Sequence, residues 1–258
     1  MNKPSLRKKT YLLLLRALSL LLAASFFLFG FAPAAEADTK KVLEGKYISV
    51  IGDSISTYEG VSNDGSAEAT LWQNPVFYRD PFPLEKTYWS LLLSRFGWEI
   101  CVNNSYSGGN LTGRGDPISG VERASHLARA DGTAPDAVLV FMGINDLGRG
   151  IAPEVFAADY RRTLEIIREK HPDAMLICVT LPDRHPYFKP RCEDFNRAIR
   201  EAAKAMGERV ILADLFQSPL RNDTYYFNTV DGLHPDEDGM RMIARVIEDA
   251  VVKFFPEA

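Results

Sequence analysis

Cysteine and histidine are scarce in this chain of 258 residues, which has three of the first and four of the second. None of them falls in a spacing typical of a zinc site, so we expect no metal ion and no cofactor. An odd number of cysteines also excludes a framework in which every cysteine is paired. Cys101 and Cys178 lie in apolar runs, where a free thiol packs as a small hydrophobic side chain. Free thiols are therefore expected, with a Cys178–Cys192 bridge as the alternative.

An excess of positive charge is also missing. The chain has 30 Lys and Arg residues against 34 Asp and Glu residues. Without Met1–Ala37, which contains five basic residues and one acidic residue, these numbers become 25 and 33. Nucleic-acid binding depends on cationic contacts to phosphate. The acidic balance therefore argues against a nucleic-acid partner.

Long hydrophobic runs occur only at the N-terminus. Basic residues open the chain, an apolar stretch follows at Tyr11–Phe31, and Ala35-Glu36-Ala37 has the small-x-small pattern of a cleavage site. These features predict a secretory signal peptide over residues 1–37, cleaved near Ala37, and a protein that is secreted or held in the cell envelope. The alternative is a retained membrane anchor. The uninterrupted run Ala17–Phe31 has 15 residues, whereas a spanning helix needs roughly 20.

Residues 38–258 contain no internal repeat and no Pro/Gly/Ser linker, which predicts a single α/β domain. Short apolar runs predict five strands: Tyr47–Ile51, Trp98–Val102, Ala137–Met142, Met175–Thr180 and Val210–Ala213. Helical spacing predicts five helices: Thr87–Phe96, Val121–Ala130, Pro153–Lys170, Cys192–Met206 and Asp238–Phe255. Their alternation predicts a parallel sheet covered on both faces. Ligands of such sheets bind beyond the carboxyl ends of the strands.

One connection, Ile55–Lys86, is much longer than is usual in a compact domain and is rich in aromatic residues. It follows the first strand, so we interpret it as a wall or lid over a substrate. The alternative is a surface excursion that packs its own aromatic side chains. Trp72 and Tyr78 from this connection, together with Gly109 and His185, are the candidate substrate-binding residues.

Gly52-Asp53-Ser54 follows the first strand directly. A serine hydroxyl becomes a useful nucleophile only when a neighbouring base takes its proton. Asp231-Gly232-Leu233-His234 supplies such a base, because a carboxylate three residues before a histidine on a tight turn can orient the imidazole. Each motif also has a purely structural interpretation. Gly52-Asp53-Ser54 could be an ordinary turn, and Asp231–His234 could be the start of the last helix. Both readings of the second motif can hold together.

Two further blocks could supply donors for an oxyanion, which an acyl-transfer reaction must stabilise. Gly108 follows the second strand and, lacking a side chain, could present its N–H closely to a ligand. Asn145 follows the third strand and carries a side-chain amide. With the N–H of Ser54, they form the predicted oxyanion hole. Either residue taken alone is also an ordinary turn residue.

Together the four blocks resemble the SGNH (GDSL-like) hydrolase superfamily, with Ser54, Gly108, Asn145 and His234 at its namesake positions. The resemblance extends from Tyr47 to the C-terminal helix. It implies a flavodoxin-like three-layer α/β/α sandwich with a five-stranded parallel sheet in the order 2-1-3-4-5. It also implies metal-free ester hydrolysis by a triad of Ser54, Asp231 and His234.

The sequence departs from the superfamily's pattern in two places. Ile55 stands where many members have Leu after the serine, which leaves the nucleophile undisturbed. Gly109 follows Gly108, so the resemblance leaves open which of the two glycines donates to the oxyanion.

The expected activity is that of a secreted serine esterase acting on a small-molecule or glycan ester, with short acyl groups such as acetyl on carbohydrates favoured. The loops near the strand ends mix aromatic and charged residues, which suits sugar rings better than long acyl chains. One alternative is a lipase, lysophospholipase or thioesterase of the same superfamily. The other is a secreted glycan-binding module without activity.

Overall fold

The centre of the protein is a parallel sheet, seen in a computed structural model that describes residues 44–61, 76–182, 189–218 and 228–255. Its strands are β1 (Tyr47–Gly52), β2 (Glu99–Ser105), β3 (Ala137–Phe141), β4 (Met175–Val179) and β5 (Val210–Ala213). They pair in the order β2-β1-β3-β4-β5, and every pairing is parallel. The predicted fold class and strand order are confirmed.

Helices cover both faces of the sheet and complete a three-layer α/β/α sandwich. They are α1 (Tyr88–Phe96), α2 (Gly120–Arg123), α3 (Ile144–Arg149), α4 (Pro153–Lys170), α5 (Lys189–Ala205) and α6 (Glu237–Phe254), with a 3₁₀ turn at Leu84–Lys86. Helix α1 packs against α6, and α4 packs against α5. None of the helices in the described ranges is long and apolar enough to cross a membrane.

The middle strand is fully buried, as its unbroken apolar sequence predicts. Val138, Leu139 and Val140 of β3 have no exposed surface. Burial of each such side chain contributes about 1.5–3 kcal/mol to folding. Cys101, Cys178 and Cys192 are buried, and none of the three forms a disulfide among the described residues.

Strand β2 is longer than its apolar run, because three polar residues at its carboxyl end are buried with hydrogen-bond partners. The amide of Asn103 donates to Ser56 O at 3.0 Å, and Ser105 Oγ donates to Asn103 Oδ1 at 2.6 Å. A hydrogen-bonded polar side chain is tolerated in the interior. A prediction from hydrophobicity alone ends the strand before these polar residues and assigns them to a loop.

The helix predicted at Val121–Ala130 is wrong, since α2 has only four residues and ends at Arg123. The side-chain amide of Asn104 donates to Arg123 O at 3.3 Å and to His126 O at 2.9 Å. A helix that continued to Ala130 would need these carbonyls for its own ladder. The long-range hydrogen bonds from β2 therefore replace the helix.

Helix α3 is absent from the sequence prediction, which placed Gly143-Ile144-Asn145-Asp146 after the third strand and assigned it to no helix. The helix starts directly after Gly143, whose φ of 125° is open to glycine but strained for other residues. It is too short for its hydrophobic period to be visible. The remaining helices and strands lie within three residues of their predicted bounds.

Candidate active site

The carboxyl ends of β1, β2 and β3 lie side by side, which brings three of the four motifs to one edge of the sheet. Gly52 at the end of β1 pairs with Ser105 of β2 and with Phe141 of β3. The segments that follow these residues carry Ser54, Gly108 and Asn145. The strand register thus assembles residues that are far apart in the chain.

Ser54 lies on a tight turn directly after β1. The N–H of Ser56 donates to Asp53 O at 3.0 Å, and the N–H of Ile55 donates to Asp53 Oδ1 at 3.1 Å. A side chain on Gly52 would overlap Ser56 and lie 2.9 Å from Ser105 Oγ, so only glycine fits where the chain folds back. Ser54 itself is 4% exposed, and among the described residues its N–H has no acceptor.

His234 joins Ser54 to Asp231. Its Nε2 lies 2.9 Å from Ser54 Oγ, and its Nδ1 lies 2.7 Å from Asp231 Oδ2. A carboxylate on Nδ1 stabilises the tautomer whose Nε2 can accept a proton from the hydroxyl. The three side chains are thus in the order that activates a serine hydroxyl.

The turn that carries His234 is built by the same carboxylate. Asp231 Oδ1 accepts from the N–H of Leu233 at 3.0 Å and from the N–H of His234 at 2.8 Å. Burial raises the pKa of Asp231, but the hydrogen bonds from the backbone and ring of His234 and from Leu233 outweigh this and hold the pKa below its ordinary value. The group is therefore a carboxylate at neutral pH.

The start of α6 comes immediately after this turn. Asp236 Oδ1 accepts from the N–H of Gly239 at 2.9 Å and caps the helix. The two readings of the Asp231–His234 motif, as an imidazole with its carboxylate and as a helix start, therefore hold together.

The two adjacent glycines after β2 differ in the state of their N–H groups. Gly109 N–H donates to Tyr106 O at 3.0 Å and so closes a turn. Gly108 has a φ of 76°, and within the described ranges no acceptor lies on its N–H. Of the two amides, that of Gly108 is the one available to a ligand.

Asn145 is oriented by the neighbouring loop. Its Nδ2 donates to Gly109 O at 3.0 Å, which leaves one of the two amide hydrogens for another acceptor. Gly109 therefore aligns Asn145 through its carbonyl, a contact that the sequence alone did not reveal. Asn145 is partly exposed, as a residue that contacts a ligand must be.

Asp146 was given no role from sequence, yet it connects two of the site's loops. It is fully buried, and its carboxylate accepts from the N–H groups of Leu111 and Thr112 at 2.7 and 2.9 Å and from Thr112 Oγ1 at 2.7 Å. These bonds hold the loop after Gly108 against helix α3. The feature of the sequence that could have indicated this role is the position of Asp146 directly after Asn145 in the same motif.

Phe77 is an aromatic residue of the long connection that sequence reasoning did not single out. Its ring stacks on the imidazole of His234, with centroids 3.5 Å apart and planes 9° from parallel. The N–H of Phe77 donates to Thr57 Oγ1 at 2.8 Å, and Thr57 Oγ1 donates to Ser54 O at 3.0 Å. The segment next to the serine therefore positions the ring that covers the histidine.

The candidate substrate-binding residues have different places in the structure. Tyr78 is 2% exposed, and its hydroxyl donates to Pro235 O at 2.8 Å, so its observed contact supports the His234 turn. Gly109 is buried, and its carbonyl accepts from Asn145 Nδ2. Trp72 and His185 lie outside the described residues.

Beneath the serine lies a buried pair of ionisable groups, Asp53 and Arg123. The guanidinium of Arg123 donates to the carbonyls of Asn104 and Gly52, the latter at 3.1 Å. Burial raises the pKa of Asp53 from 3.8 to about 7, and the N–H of Ile55 and the charge of Arg123 offset only part of this rise. Among the described residues no cluster of His, Cys, Asp or Glu could hold a metal ion.

Known proteins resemble this chain in sequence. The model of the GDSL-like lipase/acylhydrolase family matches residues 50–242, a range that contains all four motifs. An arylesterase from Vibrio mimicus is 25% identical over 174 residues, which is 66% of this chain and 81% of that protein.

Solved structures share the fold. The structure of TesA is 20% identical with a TM-score of 0.58, and the match covers 81% of this chain and 99% of that one. An acetyl xylan esterase from Geobacillus stearothermophilus is 18% identical with a TM-score of 0.55, covering 81% of this chain and 95% of its own. At these identities the similarity concerns the fold.

Proposed function

Because the chain belongs to the GDSL-like lipase/acylhydrolase family and is therefore a hydrolase of ester bonds, we propose that it is an exported serine esterase that removes short acyl groups, above all acetyl, from carbohydrates. Ser54 is its nucleophile, His234 its general base and acid, and Asp231 the group that orients His234. Ser54, Gly108 and Asn145 form its oxyanion hole.

One observation carries this proposal: the continuous hydrogen-bond chain from Ser54 Oγ through the His234 ring to the Asp231 carboxylate, at 2.9 and 2.7 Å. These distances lie within the range that proton transfer requires. The low pKa of Asp231 keeps it ionised, so it can stabilise the imidazolium formed during attack.

In the first half of the reaction, Ser54 Oγ attacks the ester carbonyl while its proton moves to His234 Nε2. The carbonyl oxygen becomes an oxyanion that accepts from the N–H groups of Ser54 and Gly108 and from the free amide hydrogen of Asn145. The tetrahedral intermediate then collapses. The bond to the alcohol breaks, and the imidazolium gives its proton to the leaving oxygen.

In the second half, water attacks the acyl-serine and gives a proton to His234 Nε2. The same donors stabilise the second oxyanion. Collapse releases the carboxylic acid and returns the proton to Ser54 Oγ, so the enzyme is regenerated without a cofactor.

The preference for short acyl groups on sugars is supported by the composition of the connections near the site. Aromatic side chains and charged residues are mixed in them, and aromatic faces with polar neighbours suit sugar rings. The fold likeness to an acetyl xylan esterase is compatible with such a substrate. The signal-like N-terminus would place the enzyme where polymeric glycans are accessible.

Hydrolysis of 4-nitrophenyl acetate by the purified protein tests the chemistry. Ser54→Ala is expected to lower kcat by at least about a thousandfold, since the nucleophile is lost. The matched control is Ser125→Ala, which removes a hydroxyl that donates to Glu122 O at 3.1 Å within its own turn and should retain activity. Full activity in Ser54→Ala would refute the mechanism. A folded protein without activity on any ester would favour the binding-module alternative.

A series of 4-nitrophenyl esters of increasing acyl length tests the substrate class. We expect kcat/KM to fall at least about tenfold from acetate to octanoate, because a site for small acyl groups excludes longer chains. A value that rises with chain length would assign the protein to the lipases or thioesterases of the family. If acetate is preferred, measuring the release of acetate from a set of acetylated glycans would identify the polymer on which the enzyme acts.

A further inference from the structure

An arginine lies beside the amide that is available for the oxyanion. Arg149 is the last residue of α3, and its Nη2 is 3.7 Å from the position that a Cβ on Gly108 would occupy. Its Nη1 donates to Asn110 Oδ1, which holds the guanidinium over the loop after β2. The residue is exposed. A cation is therefore fixed next to Gly108 and open to solvent.

No carboxylate in the part of the chain that the structure describes forms an ion pair with Arg149. The nearest acidic residue on the same helix is Asp146, whose oxygens accept from Leu111 and Thr112. The bond to Asn110 leaves the Nε and Nη2 donors of Arg149 without an acceptor in the same ranges. These two N–H groups form the fork that binds a carboxylate through two parallel hydrogen bonds.

A second arginine, Arg191, lies near Gly150, the residue that follows Arg149 in the chain. Arg191 of α5 donates from Nη2 to Ile151 O at 3.1 Å, and its Nη1 is 3.9 Å from the position of a Cβ on Gly150. Arg191 also has no carboxylate partner within the described ranges. Two cations without a carboxylate partner in these ranges therefore lie near Gly108 and near Gly150, in a protein whose net charge is −4. Local positive charge of this kind attracts anions.

We infer that Arg149, supported by the charge of Arg191, is a specificity-determining residue that binds a carboxylate on the ester substrate. The inference rests on the proposed esterase function and refines its substrate class to esters of acidic compounds. The carboxylate belongs either to the sugar that bears the acyl group or to the acyl group itself. The two sources share one chemistry, and the experiment separates them.

Two pairs of substrates measure the preference. The first pair is acetylated galacturonic acid and acetylated galactose, which differ in having a carboxylate or a hydroxymethyl group on the sugar. The second pair is the 4-nitrophenyl ester of succinate and that of butanoate, which differ in a carboxylate at the end of the acyl chain. In at least one pair, kcat/KM of the full-length protein is expected to be about tenfold higher for the charged member.

Variants assign this preference to Arg149. Arg149→Met is expected to lower the ratio of charged to neutral kcat/KM about tenfold, and Arg149→Lys to retain part of it because the charge remains without the fork. The matched control is Arg209→Met, which removes an exposed arginine paired with Asp173 at the opposite edge of the sheet. The ratio should not change in this control.

Salt gives a readout that needs no variant. In the wild-type protein the preference should fall as NaCl rises from about 0.05 to 0.5 M, because exposed charges are screened. A wild-type protein without preference in both pairs, or an equal loss on both members of a pair in Arg149→Met, would overturn the inference. Failure of the esterase mechanism is separate, since it is read from 4-nitrophenyl acetate, which carries no carboxylate, and from Ser54→Ala.

Discussion

We propose that the side chain of Asn145 serves both the architecture and the reaction. One of its amide hydrogens is held by Gly109 O at 3.0 Å, which sets the direction of the other. A donor that is oriented before the substrate arrives loses little free energy to reorganisation during the reaction. The contribution of Asn145 should therefore be visible in kcat rather than in KM.

We predict that Asn145→Ala lowers kcat on 4-nitrophenyl acetate by about 10²–10³, the usual cost of one oxyanion donor. KM should change less than about threefold. Steady-state kinetics measure both values, and circular dichroism checks that the variant is folded. A decrease in kcat of less than about threefold would remove Asn145 from the oxyanion hole.

Phe77 is predicted to position His234, because its ring stacks on the imidazole at 3.5 Å. Phe77→Leu should lower kcat by about three- to tenfold, in line with about 0.5–1.5 kcal/mol for an aromatic pair. Phe77→Tyr retains the stacked ring and is the matched control, with activity near that of the wild type. Equal activity of both variants would show that stacking is not needed.

Asp53 is predicted to make stability depend on pH, since burial raises its pKa from 3.8 to about 7. The folded state then holds the proton more tightly than the unfolded state. This contribution to stability is complete below pH 4 and is lost as the pH rises through 7. Asp53→Asn keeps an acceptor for Ile55 N–H but cannot ionise.

The melting temperature of Asp53→Asn relative to the wild type should therefore increase between pH 4.5 and pH 8. Thermal unfolding followed at several pH values measures this difference. A difference that is constant over this range would mean that Asp53 has an ordinary pKa in the folded protein.

At the level of helices and strands, the short helix α3 is the feature on which the site depends most. It carries Asn145 and Arg149, and its start at Gly143 requires a φ of 125°. A Cβ at this position would lie 2.8 Å from a ring atom of Phe156 in α4. Both the backbone angle and the packing therefore demand glycine.

We predict that Gly143→Ala destabilises the protein by about 2–4 kcal/mol, from backbone strain and a clash with the core. The melting temperature should fall by several degrees, and kcat should decrease because α3 is displaced. The matched control is Gly132→Ala, where φ is 88° but no atom of the described residues lies within 4 Å of the added Cβ. A similar loss in both variants would attribute the whole effect to the backbone angle.

The elements that the sequence predicted well are those with long or unbroken apolar patterns. Strand β3 and helix α4 are examples, since packing and local preference agree in them. Helix α2 and the polar end of β2 were predicted poorly because hydrogen bonds from Asn103 and Asn104 to distant carbonyls decide them. Local patterns contain no information about such partners.

For the molecule as a whole, one prediction concerns the place in which the protein acts. We propose that residues 1–37 direct export and are removed, so that the mature protein starts at Asp38. N-terminal sequencing of the protein recovered from the exporting cell tests this directly. Replacement of Ala35 and Ala37 by Leu should block cleavage and leave the longer chain.

A mature N-terminus at Asp38 would support secretion or release into the cell envelope. Recovery of the complete chain with the membrane fraction would instead establish that Tyr11–Phe31 is retained as an anchor. The esterase chemistry is independent of this result, because the family model matches only residues 50–242.

The sequence by itself determined the α/β class, the strand positions and the four motifs, because apolar runs and turn residues act over a few neighbouring positions. It also predicted that Asp231 can reach His234, since the two are three residues apart. Only the tertiary structure decided that His234 meets Ser54, 180 residues away. It likewise decided that Gly108 rather than Gly109 has an available amide, that Phe77 covers the imidazole, and that Arg149 lies beside Gly108. These contacts depend on strand register and on the packing of loops, which join segments that no local pattern relates.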